Sequence, residues 1–354
     1  MSKFATRLIT WQKVHGRHDL PWQGTTDPYA IWVSEIMLQQ TQVAAVIGYY
    51  SKFMLRFPNI ATLANATQEE VLQHWSGLGY YSRARNLHNA AVTIMDEHGG
   101  KFPQAFDTIQ TLSGIGRSTA AAIASFAFNQ VQTILDGNVK RVLARHFLVE
   151  GWPSHPKIEK QLWALAEELL PEQDMVAYTQ GLMDLGATLC TRTKPKCSAC
   201  PVNQTCESYK QQRVHELPTP KPRKTIPEKH TTMLILLRGD EVMLEKRPPT
   251  GIWGGLWSFP EIEPDSNTEA MTPIENIVKT RFSISTQADK PLPTLSHAFT
   301  HFKLHIQPQP LRVLRLAPQA HEAGHIWLSI EDAISAAIPT PVRKILQSLQ
   351  NKPK

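Results

Sequence analysis

Residues 112–120 read LSGIGRSTA, and they lie between two stretches in which apolar residues have helical spacing. Gly114 and Gly116 allow a tight turn and let the backbone approach a ligand closely. We expect Leu112 and Ile115 to anchor this turn in a core. Backbone amides at the start of the second helix can bind a phosphate without reading a base. An ordinary helix–helix turn and a phosphate-binding hairpin both fit this stretch.

Outward from this turn, the first 206 residues show helical patterning. Apolar residues recur with a spacing of three or four in 30–47, 68–75, 84–95, 118–127, 138–148 and 158–170. The last third of the chain differs. Residues 231–248 predict two short strands around Gly239-Asp240, whereas residues 269–282 and 331–350 predict helices. The fold class predicted is therefore an all-α part followed by an α+β part.

The chain has 354 residues, which favours two or three domains over one core. We predict an all-α domain over 1–206, a linker over 207–230 and an α+β domain over 231–354. The linker stretch holds six Lys and Arg against three Asp and Glu, together with four prolines. Such a composition is typical of a semi-extended basic connector.

The net charge of +6 permits a nucleic-acid partner without requiring one. No apolar run approaches the roughly 18 residues that cross a bilayer. We therefore expect a soluble, cytoplasmic protein with no membrane partner, associated with the nucleoid if the source is bacterial.

All four cysteines fall within one short stretch, with the spacing Cys190-x6-Cys197-x2-Cys200-x5-Cys206. Four thiols so close together suit one metal centre better than a disulfide scaffold. Structural zinc commonly uses two tight C-x2-C pairs, and only one is present here. The wider outer spacing favours a [4Fe–4S] cluster, although zinc and unligated thiols stay as alternatives.

Glu35 lies in a strongly apolar helical stretch. Its neighbours one turn away include Ile31, Trp32 and Leu38. The carboxyl group should therefore face an apolar surface, where burial raises its pKa and keeps it protonated. A carboxylate at the margin of a core face would give the same pattern.

Asp136 precedes the helical stretch that starts near residue 138, in the string ILDGN (134–138). An Asp there is a natural N-cap, which is a structural role. The start of a helix also favours the anion, so Asp136 should stay ionised. One neutral acid and one carboxylate are the pair that cleaves glycosidic bonds. The sequence does not show whether Asp136 and Glu35 meet.

These motifs together resemble the endonuclease III superfamily of DNA glycosylases. LSGIGRSTA resembles its helix–hairpin–helix element, and LDGNVKR (135–141) and the cysteine cluster match its pattern. The strings WVSEIMLQQTQV (32–43) and GLGYYSRAR (77–85) narrow the resemblance to the MutY-type adenine DNA glycosylases. The resemblance implies a six-helix barrel-like part over 27–135 and an iron–sulfur part formed by 1–26 with 136–206.

The family's activity, as the resemblance implies it, removes adenine mispaired with 8-oxoguanine or guanine from duplex DNA. The adenine leaves the base stack and enters a pocket. Glu35 protonates adenine N7, and Asp136 stabilises the oxocarbenium-like sugar. Asn138 and Gln180 match positions that line the family's pocket. The positions that probe or wedge the duplex around the lesion are matched by Gln40, Thr41, Leu78 and Tyr80.

Ser118 separates two subclasses of the superfamily. Members that also nick the strand carry a lysine directly after G-x-G-R, and its amine can form a Schiff base with the sugar. Ser118 cannot do this, so the sequence indicates a monofunctional glycosylase. Lys140 is the nearest other amine in the motif. A bifunctional glycosylase and lyase of the endonuclease III type is the alternative.

The string GIWGGLWSFP (251–260) resembles a glycine-rich part of the Nudix fold. Residues 261–285 lack the glutamate-rich string that a Nudix pyrophosphatase needs, so the resemblance implies recognition of 8-oxoguanine instead. Phe299, Thr300 and His301 match the family's Phe-Ser-His loop, with a threonine where serine is usual. Nucleotide hydrolysis, and DNA binding without catalysis, remain alternative functions.

His297, His301 and His305 alternate along the chain. This spacing is more typical of one strand face than of a metal site. We expect a monomer, and the resemblance allows a replication or mismatch-repair protein as a partner.

Overall fold

A computed structural model describes residues 2–222, 225–262, 273–316 and 324–351. Contacts divide the chain into two compact units. The first is Met1–Ala66 with Asn86–Arg223, and the second is Thr67–Arg85 with Lys224–Lys354. The second unit therefore includes a short helical segment from the N-terminal half. The domain boundaries drawn from the sequence stay a prediction.

The N-terminal part of the chain is helical, as the sequence predicts. Its helices are α1 (Lys3–His15), α2 (Pro28–Leu38), α3 (Val43–Arg56), α4 (Ile60–Asn65), α5 (Gln68–Trp75), α6 (Ser82–His98), α7 (Phe106–Thr111), α8 (Arg117–Phe128), α9 (Gly137–His146), α10 (Pro156–Glu168), α11 (Met175–Asp184) and α12 (Glu207–Lys210). One π turn follows α11 at Leu185–Leu189, and two 3-10 turns lie at Cys197–Ala199 and Asn203–Thr205.

A single apolar core holds α1 against α9 and α11. Leu8, Leu143 and Tyr178 are buried in this core. Gly181 permits the close approach of α1 to α11, because a Cβ added there would lie 3.1 Å from Leu8 Cγ. The N-terminal helix is thus built into the same core as the helix that follows Asp136.

The stretch 30–47, which has one continuous helical pattern, forms two helices. The chain leaves α2 after Leu38 and starts α3 at Val43. Gln40 adopts a left-handed conformation, with φ of 57°, and this ends the first helix. Apolar spacing cannot reveal such a break, because both helices bury their apolar faces.

The strands that the structure describes form one mixed sheet in the second unit. They are β1 (Glu228–Arg238), β2 (Glu241–Lys246), β3 (Trp257–Ser258), β4 (Glu261–Ile262), β5 (Ile284–Ala288), β6 (Leu295–Ala298), β7 (Lys303–Leu316) and β8 (His325–Ser329). The predicted hairpin around Gly239 is confirmed, since Arg238 pairs with Glu241 across it. β1 lies parallel to β7, and His230 pairs with His305 in their register.

Three helices follow or interrupt the described strands; the first contacts β5, the second contacts β8 and β2, and the third contacts the second. They are α13 (Ile274–Phe282), α14 (Ile330–Ser335) and α15 (Thr340–Gln350). The stretch predicted as one helix over 331–350 is thus two helices, because Pro339 and Pro341 start a new helix. The first residues of the helix predicted over 269–282 lie outside the described residues. The expected α+β part is confirmed.

The segment predicted as a linker has regular secondary structure at both ends. Residues 207–210 form α12, and β1 already begins at Glu228. Between them, Arg223 and Lys224 lie outside the described residues.

Among the helices that the structure describes, none combines the length and apolar character that crossing a membrane requires.

Segment 67–85 is held in the second unit by polar contacts. Ser76 Oγ donates to the carbonyl of Ile338 at 2.9 Å, and Gln73 Nε2 donates to that of Ser335 at 2.8 Å. Glu69 pairs with Lys246 Nζ at 2.7 Å. These bonds place the loop that follows α5 beside the sheet.

Candidate functional site

A cavity of about 540 Å³ lies within the first unit. This volume is in the range of ligand pockets. Glu35 and Gln180 contribute to its wall, and so do Ile31, Ser34 and Leu38 of α2. The cavity therefore receives two of the residues that the sequence analysis selects.

Glu35 is half-buried in the wall of this cavity. Burial, together with the charge of Asp136, raises its pKa to about 8. At neutral pH the carboxyl group is then mostly protonated, by roughly ten to one. The expectation that burial keeps Glu35 neutral is confirmed, and the electrostatic interaction shows that Asp136 is close by.

Asp136 is the N-cap of α9. Its Oδ1 accepts a hydrogen bond from the backbone amide of Val139 at 2.8 Å. Burial raises the pKa of Asp136, while the backbone amides of Val139 and Asn138 and the nearby Arg141 oppose this rise. The helix start favours the anion as expected, but desolvation is the largest effect and opposes it, so an ionised Asp136 stays a prediction.

Glu35 and Asp136 thus compete for one proton. Two carboxyl groups in a desolvated site cannot both ionise readily. Asp136 is bonded to backbone amides that favour the anion, and Glu35 has its pKa raised both by burial and by Asp136. The capping amides thus favour the anion at Asp136, and the raised pKa favours the proton at Glu35.

A buried ion pair supports another side of the cavity. Asp184 is fully buried, and its carboxylate accepts from Arg17 Nε at 2.7 Å and from the Arg17 backbone amide at 2.9 Å. Gln180 Nε2 donates to the same carboxylate at 2.8 Å, which fixes the Gln180 amide in the cavity wall. The sequence analysis missed Arg17 and Asp184. Their separation of 167 residues gave no signal.

The loop before α2 also lines the cavity. His18, Leu20 and Trp22 contribute to the wall, together with Gly24 and Thr25. The sequence analysis did not select this loop. A tryptophan next to proline in a short irregular segment was the signal that could have found it.

Asn138 is half-buried in the first turn of α9. Its Oδ1 accepts from Arg141 Nη2 at 2.7 Å, and it packs closely on Gly186, where an added Cβ would lie 2.6 Å from Asn138 Cβ. Among the described residues, Asn138 is absent from those lining the 540 Å³ cavity. The structure therefore places it beside Asp136, in the wall between α9 and the π turn.

Gln40 and Thr41 lie in the break between α2 and α3. Gln40 is exposed, and Thr41 is half-buried with its hydroxyl donating to the carbonyl of Gln39 at 3.3 Å. Gln39 Nε2 donates to the hydroxyl of Thr119 at 3.2 Å. The break is therefore tied to the start of α8, near the glycine turn.

The glycine turn connects α7 to α8, as the sequence predicts. Leu112 and Ile115 are buried, and Gly114 and Gly116 are exposed. Gly114 has φ of 79°, and Gly116 is the N-cap of α8. The turn thus presents backbone at a helix N-terminus to solvent, where an anion can bind.

Ser118 and Lys140 occupy structural positions. Ser118 Oγ accepts from the backbone amide of Leu135 at 3.0 Å, and so holds the residue before Asp136. Lys140 Nζ pairs with Glu159 Oε1 at 2.6 Å. The Lys140 amine is therefore engaged in an ion pair.

The four cysteines line one small cavity next to α9. All four are free thiols. In the described residues, no three of their sulfur atoms lie within 4.8 Å of one another. A single zinc ion with Zn–S bonds of about 2.3 Å would hold its sulfur ligands about 4 Å apart. The separation fits a larger inorganic centre.

Arg145 connects α9 to the cysteine loop. It is buried, and its Nη1 lies 3.3 Å from Cys190 Sγ and donates to the carbonyl of Thr191 at 2.7 Å. Arg141 Nε donates to the Cys190 carbonyl at 2.8 Å. The helix that begins at Asp136 therefore also holds the first cysteine.

A second pocket of about 530 Å³ lies in the second unit. It is lined by Tyr80 and by Phe299, Thr300 and His301 of the loop between β6 and β7. Tyr80 is exposed and has φ of 48°, whereas Leu78 is buried. Tyr80 and the 299–301 loop therefore line the same pocket. The buried Leu78 belongs to the segment that carries Tyr80.

Phe299 is fixed by other aromatic side chains. Its ring stacks on that of Phe302 with centroids 4.6 Å apart, and it contacts His297 at 4.7 Å and Trp253 at 5.4 Å. Thr300 remains exposed, with Oγ1 3.4 Å from His301 Nδ1. The loop therefore presents a hydroxyl group and an imidazole ring next to a cluster of aromatic side chains.

The three alternating histidines do not share one strand face, contrary to the expectation from their spacing. His297 lies in β6, His301 in the connecting loop and His305 in β7. A turn reverses the chain between them, which the alternation could not reveal. In the β6–β7 pairing His305 lies opposite Ser296, and His297 lies opposite Leu304.

Two family models match the chain. Residues 33–168 match the HhH-GPD superfamily base excision DNA repair protein, and residues 231–348 match the NUDIX domain. The chain is 37% identical over 349 residues to the adenine DNA glycosylase of Buchnera aphidicola subsp. Acyrthosiphon pisum (strain APS), with 98% of this chain and 97% of that protein covered.

Solved structures are similar to the helical part. A thermostable thymine-DNA glycosylase matches with a TM-score of 0.53 and 30% identity, over 59% of this chain and 95% of that one. Endonuclease III in a non-covalent complex with DNA matches with a TM-score of 0.50 and 21% identity, over 60% of this chain and 98% of that one. The latter likeness is one of fold.

We predict that Gly114→Ala destabilises the protein by about 1–3 kcal/mol. The new Cβ would lie 2.8 Å from Asn86 Cβ, at a φ of 79°. Gly116→Ala is the matched control in the same turn, because its Cβ would meet open space. It should cost only about 0.5 kcal/mol as a weaker N-cap. Urea unfolding followed by circular dichroism measures both, and equal losses would contradict the assignment.

We also predict that Glu35→Gln stabilises the protein increasingly as the pH rises. The raised pKa of Glu35, about 8, means that the folded state binds more protons than the unfolded state between about pH 4.5 and pH 8. The contribution of Glu35 to the free energy of unfolding of the wild type is therefore fully present below about pH 4.5. This contribution is lost as the pH approaches 8. The neutral glutamine avoids this loss.

The gain in free energy of unfolding should be below about 1 kcal/mol at pH 5 and reach about 4 kcal/mol at pH 8. Glu97→Gln, at an exposed position, is the control and should show no such trend. Urea unfolding at a series of pH values tests the prediction. A difference between Glu35→Gln and wild type that is constant with pH would refute it.

Proposed function

This chain belongs to the adenine DNA glycosylase family, and on that premise we propose that it excises adenine from duplex DNA with Glu35 as the acid and Asp136 as the anion. It is a monofunctional glycosylase of base excision repair, which hydrolyses the N-glycosidic bond. The observation that carries the residue assignment is the position of Glu35 in a cavity wall, where burial and the charge of Asp136 raise its pKa.

Glu35 makes the adenine a better leaving group. Its proton passes to N7 of the base while the bond between the sugar C1′ and N9 breaks. The bonding electrons go to the adenine ring, which therefore departs as a neutral base. Because the pKa of Glu35 is about 8, the acid form needed for this step is available at neutral pH.

Asp136 stabilises the positive charge that develops on the sugar. An oxocarbenium-like transition state is favoured by a nearby carboxylate. The backbone amides that cap this carboxylate hold it in place and preserve its charge. After adenine leaves, a water molecule attacks C1′. The Glu35 carboxylate accepts a proton from this water molecule and becomes the acid again.

The phosphate backbone is held by the Gly114–Gly116 turn in this proposal. Exposed amides at the start of α8 supply a contact that is independent of sequence. Gln180, oriented by Asp184, lines the base pocket, and Asn138 acts from beside Asp136, outside the wall of the 540 Å³ cavity. Ser118 supports Leu135 rather than attacking the sugar, which favours the monofunctional reaction over the bifunctional alternative.

Recognition of the opposite base belongs to the pocket of the second unit. Tyr80 and Leu78 probe and wedge the duplex, as do Gln40 and Thr41 from the helical unit. Phe299, Thr300 and His301 bind 8-oxoguanine, with the Thr300 hydroxyl in the role of the usual serine. The exposed hydroxyl and imidazole on an aromatic support suit an oxidised base with extra hydrogen-bonding groups.

We further propose that Cys190, Cys197, Cys200 and Cys206 hold a [4Fe–4S] cluster. The spread of the sulfur atoms and the shared cavity support this centre over one zinc ion. When bound, the cluster would cross-link the cysteine loop beside α9 and supply redox-active iron. Arg145 would donate to one of its ligands. The protein would act as a monomer. It would be located with the chromosome.

The test is single-turnover excision on duplexes that place adenine opposite 8-oxoguanine, guanine, cytosine or thymine. We expect alkali-dependent strand cleavage with the first two only. Equal rates on all four duplexes would contradict the proposed mispair specificity. Covalent capture by borohydride through a lysine would instead favour the bifunctional alternative.

Asp136→Asn and Glu35→Gln should each lower the excision rate at least about a hundredfold. Asparagine keeps the N-cap hydrogen bond at residue 136, so the fold should persist. Asp27→Asn is the matched control, because Asp27 caps α2 in the same way by accepting from the Tyr29 amide at 3.0 Å. Asp27→Asn should retain the wild-type rate. Equal effects at both caps would show that Asp136 acts only through the fold.

A further inference from the structure

Two histidines and a carboxylate meet at one edge of the second unit. Glu228 and His230 lie on the same face of β1, two residues apart, and His305 lies beside His230 on the parallel strand β7. One ligand atom from each residue lies within 4.8 Å of the other two. The cluster is separate from the residues assigned above to catalysis, to DNA and to the cysteine centre.

The side chains already approach one another closely. His305 Nε2 lies 3.0 Å from Glu228 Oε2. The rings of His230 and His305 stack with centroids 4.8 Å apart and planes 16° apart. A tetrahedral zinc ion with ligand bonds of about 2.1 Å needs ligand atoms about 3.4 Å apart. Side-chain rotation alone can therefore close the set, because the two strands fix the backbones.

His305 has the outer hydrogen bond that a metal-binding histidine needs. Its Nδ1 lies 3.1 Å from Ser296 Oγ, across the β6–β7 pairing. A hydroxyl that accepts from Nδ1 leaves the lone pair of Nε2 free for a metal. Without a metal, Nε2 carries the hydrogen that faces Glu228 Oε2, and Ser296 Oγ can accept from Nδ1–H once a metal ion replaces that hydrogen.

Nearby lysines leave room for a cation. Lys303 Nζ lies 3.8 Å from Glu228 Oε1, and its side chain is substantially exposed. Such an ion pair contributes little and is easily displaced. Lys229 lies with its ammonium 5.1 Å from the centre of the Phe302 ring. The Glu228 carboxylate can therefore exchange a weak lysine contact for a metal bond.

We propose that Glu228, His230 and His305 form a site for a divalent transition-metal ion of the zinc class. Two imidazoles and one carboxylate are a common ligand set for this ion, with a water in the fourth position. The ion would join the first residues of β1 to β7. The backbone supports the same junction, since Lys303 N donates to the Pro227 carbonyl at 2.9 Å.

The experiment measures zinc bound by the full-length protein, prepared without a polyhistidine tag. Each sample is dialysed against a series of Zn²⁺ concentrations, and elemental analysis gives zinc and iron per chain. Because the cysteines can also bind zinc, the result is the difference between each variant and the wild type at equal iron content. We expect the wild type to take up one zinc per chain at this site.

His305→Ala and His230→Ala should each abolish this zinc ion. Ser296→Ala should weaken zinc binding about tenfold, because only the outer hydrogen bond is lost. His325→Ala is the matched control. His325 also faces a carboxylate, with Nε2 3.5 Å from Glu245 Oε1, but it is not in the three-residue cluster. This variant should bind zinc as the wild type does.

The proposal is overturned if the wild type takes up no zinc beyond that held by the cysteines. It is also overturned if His305→Ala and His230→Ala bind as much zinc as His325→Ala. Circular dichroism on each variant excludes unfolding as the cause of a loss, and the second histidine variant serves if the first does not fold. The outcome is independent of adenine excision, so either proposal can fail alone.

Discussion

The placement of helix α9 is the constraint on which both the catalytic site and the cysteine centre depend. Asp136 caps its first turn, and two arginines one turn apart bind the cysteine loop from the same helix. Arg145 donates to backbone carbonyls of residues 191, 192 and 217 as well as approaching Cys190 Sγ. A shift of α9 would therefore move the anion and the cysteine loop together. If the cysteines hold the proposed cluster, this coupling gives it a structural role in a hydrolase that needs no redox step.

The proposed chemistry depends on the different environments of two carboxyl groups, those of Glu35 and Asp136. Desolvation raises the pKa of both Glu35 and Asp136, and only Asp136 receives backbone amides that favour its anion. The same helix start that caps α9 thus decides which carboxyl group keeps the proton. In the proposed mechanism, protonation of the base and stabilisation of the sugar cation need no further acid or base. The cost of burying Glu35 is lowest when it is neutral, which is its reactive state.

Much of this architecture could be predicted from local sequence. The glycine turn, the N-cap at Asp136, the apolar setting of Glu35 and the hairpin at Gly239 are encoded within a few residues of each feature. Apolar periodicity failed where two buried helices follow each other directly, as at Gln40 and at Pro339. It could not reveal long-range pairs such as Arg17 with Asp184, or the alignment of His230 with His305. These depend on packing and strand register, which no local pattern specifies. The desolvation that raises the pKa of Asp136 is likewise a tertiary effect, which the local sequence does not show.

The central claim is that Glu35 is neutral beside a charged Asp136 at physiological pH. The most direct measurement is a carbon-13 NMR titration of the glutamate side-chain carboxyl groups, with Glu35→Gln used to assign the signal. The account predicts a midpoint near pH 8 for Glu35 in the wild type. It also predicts that the midpoint falls in Asp136→Asn, because the neighbouring charge is removed. A midpoint near the ordinary value of about 4.3 in the wild-type protein would contradict the account.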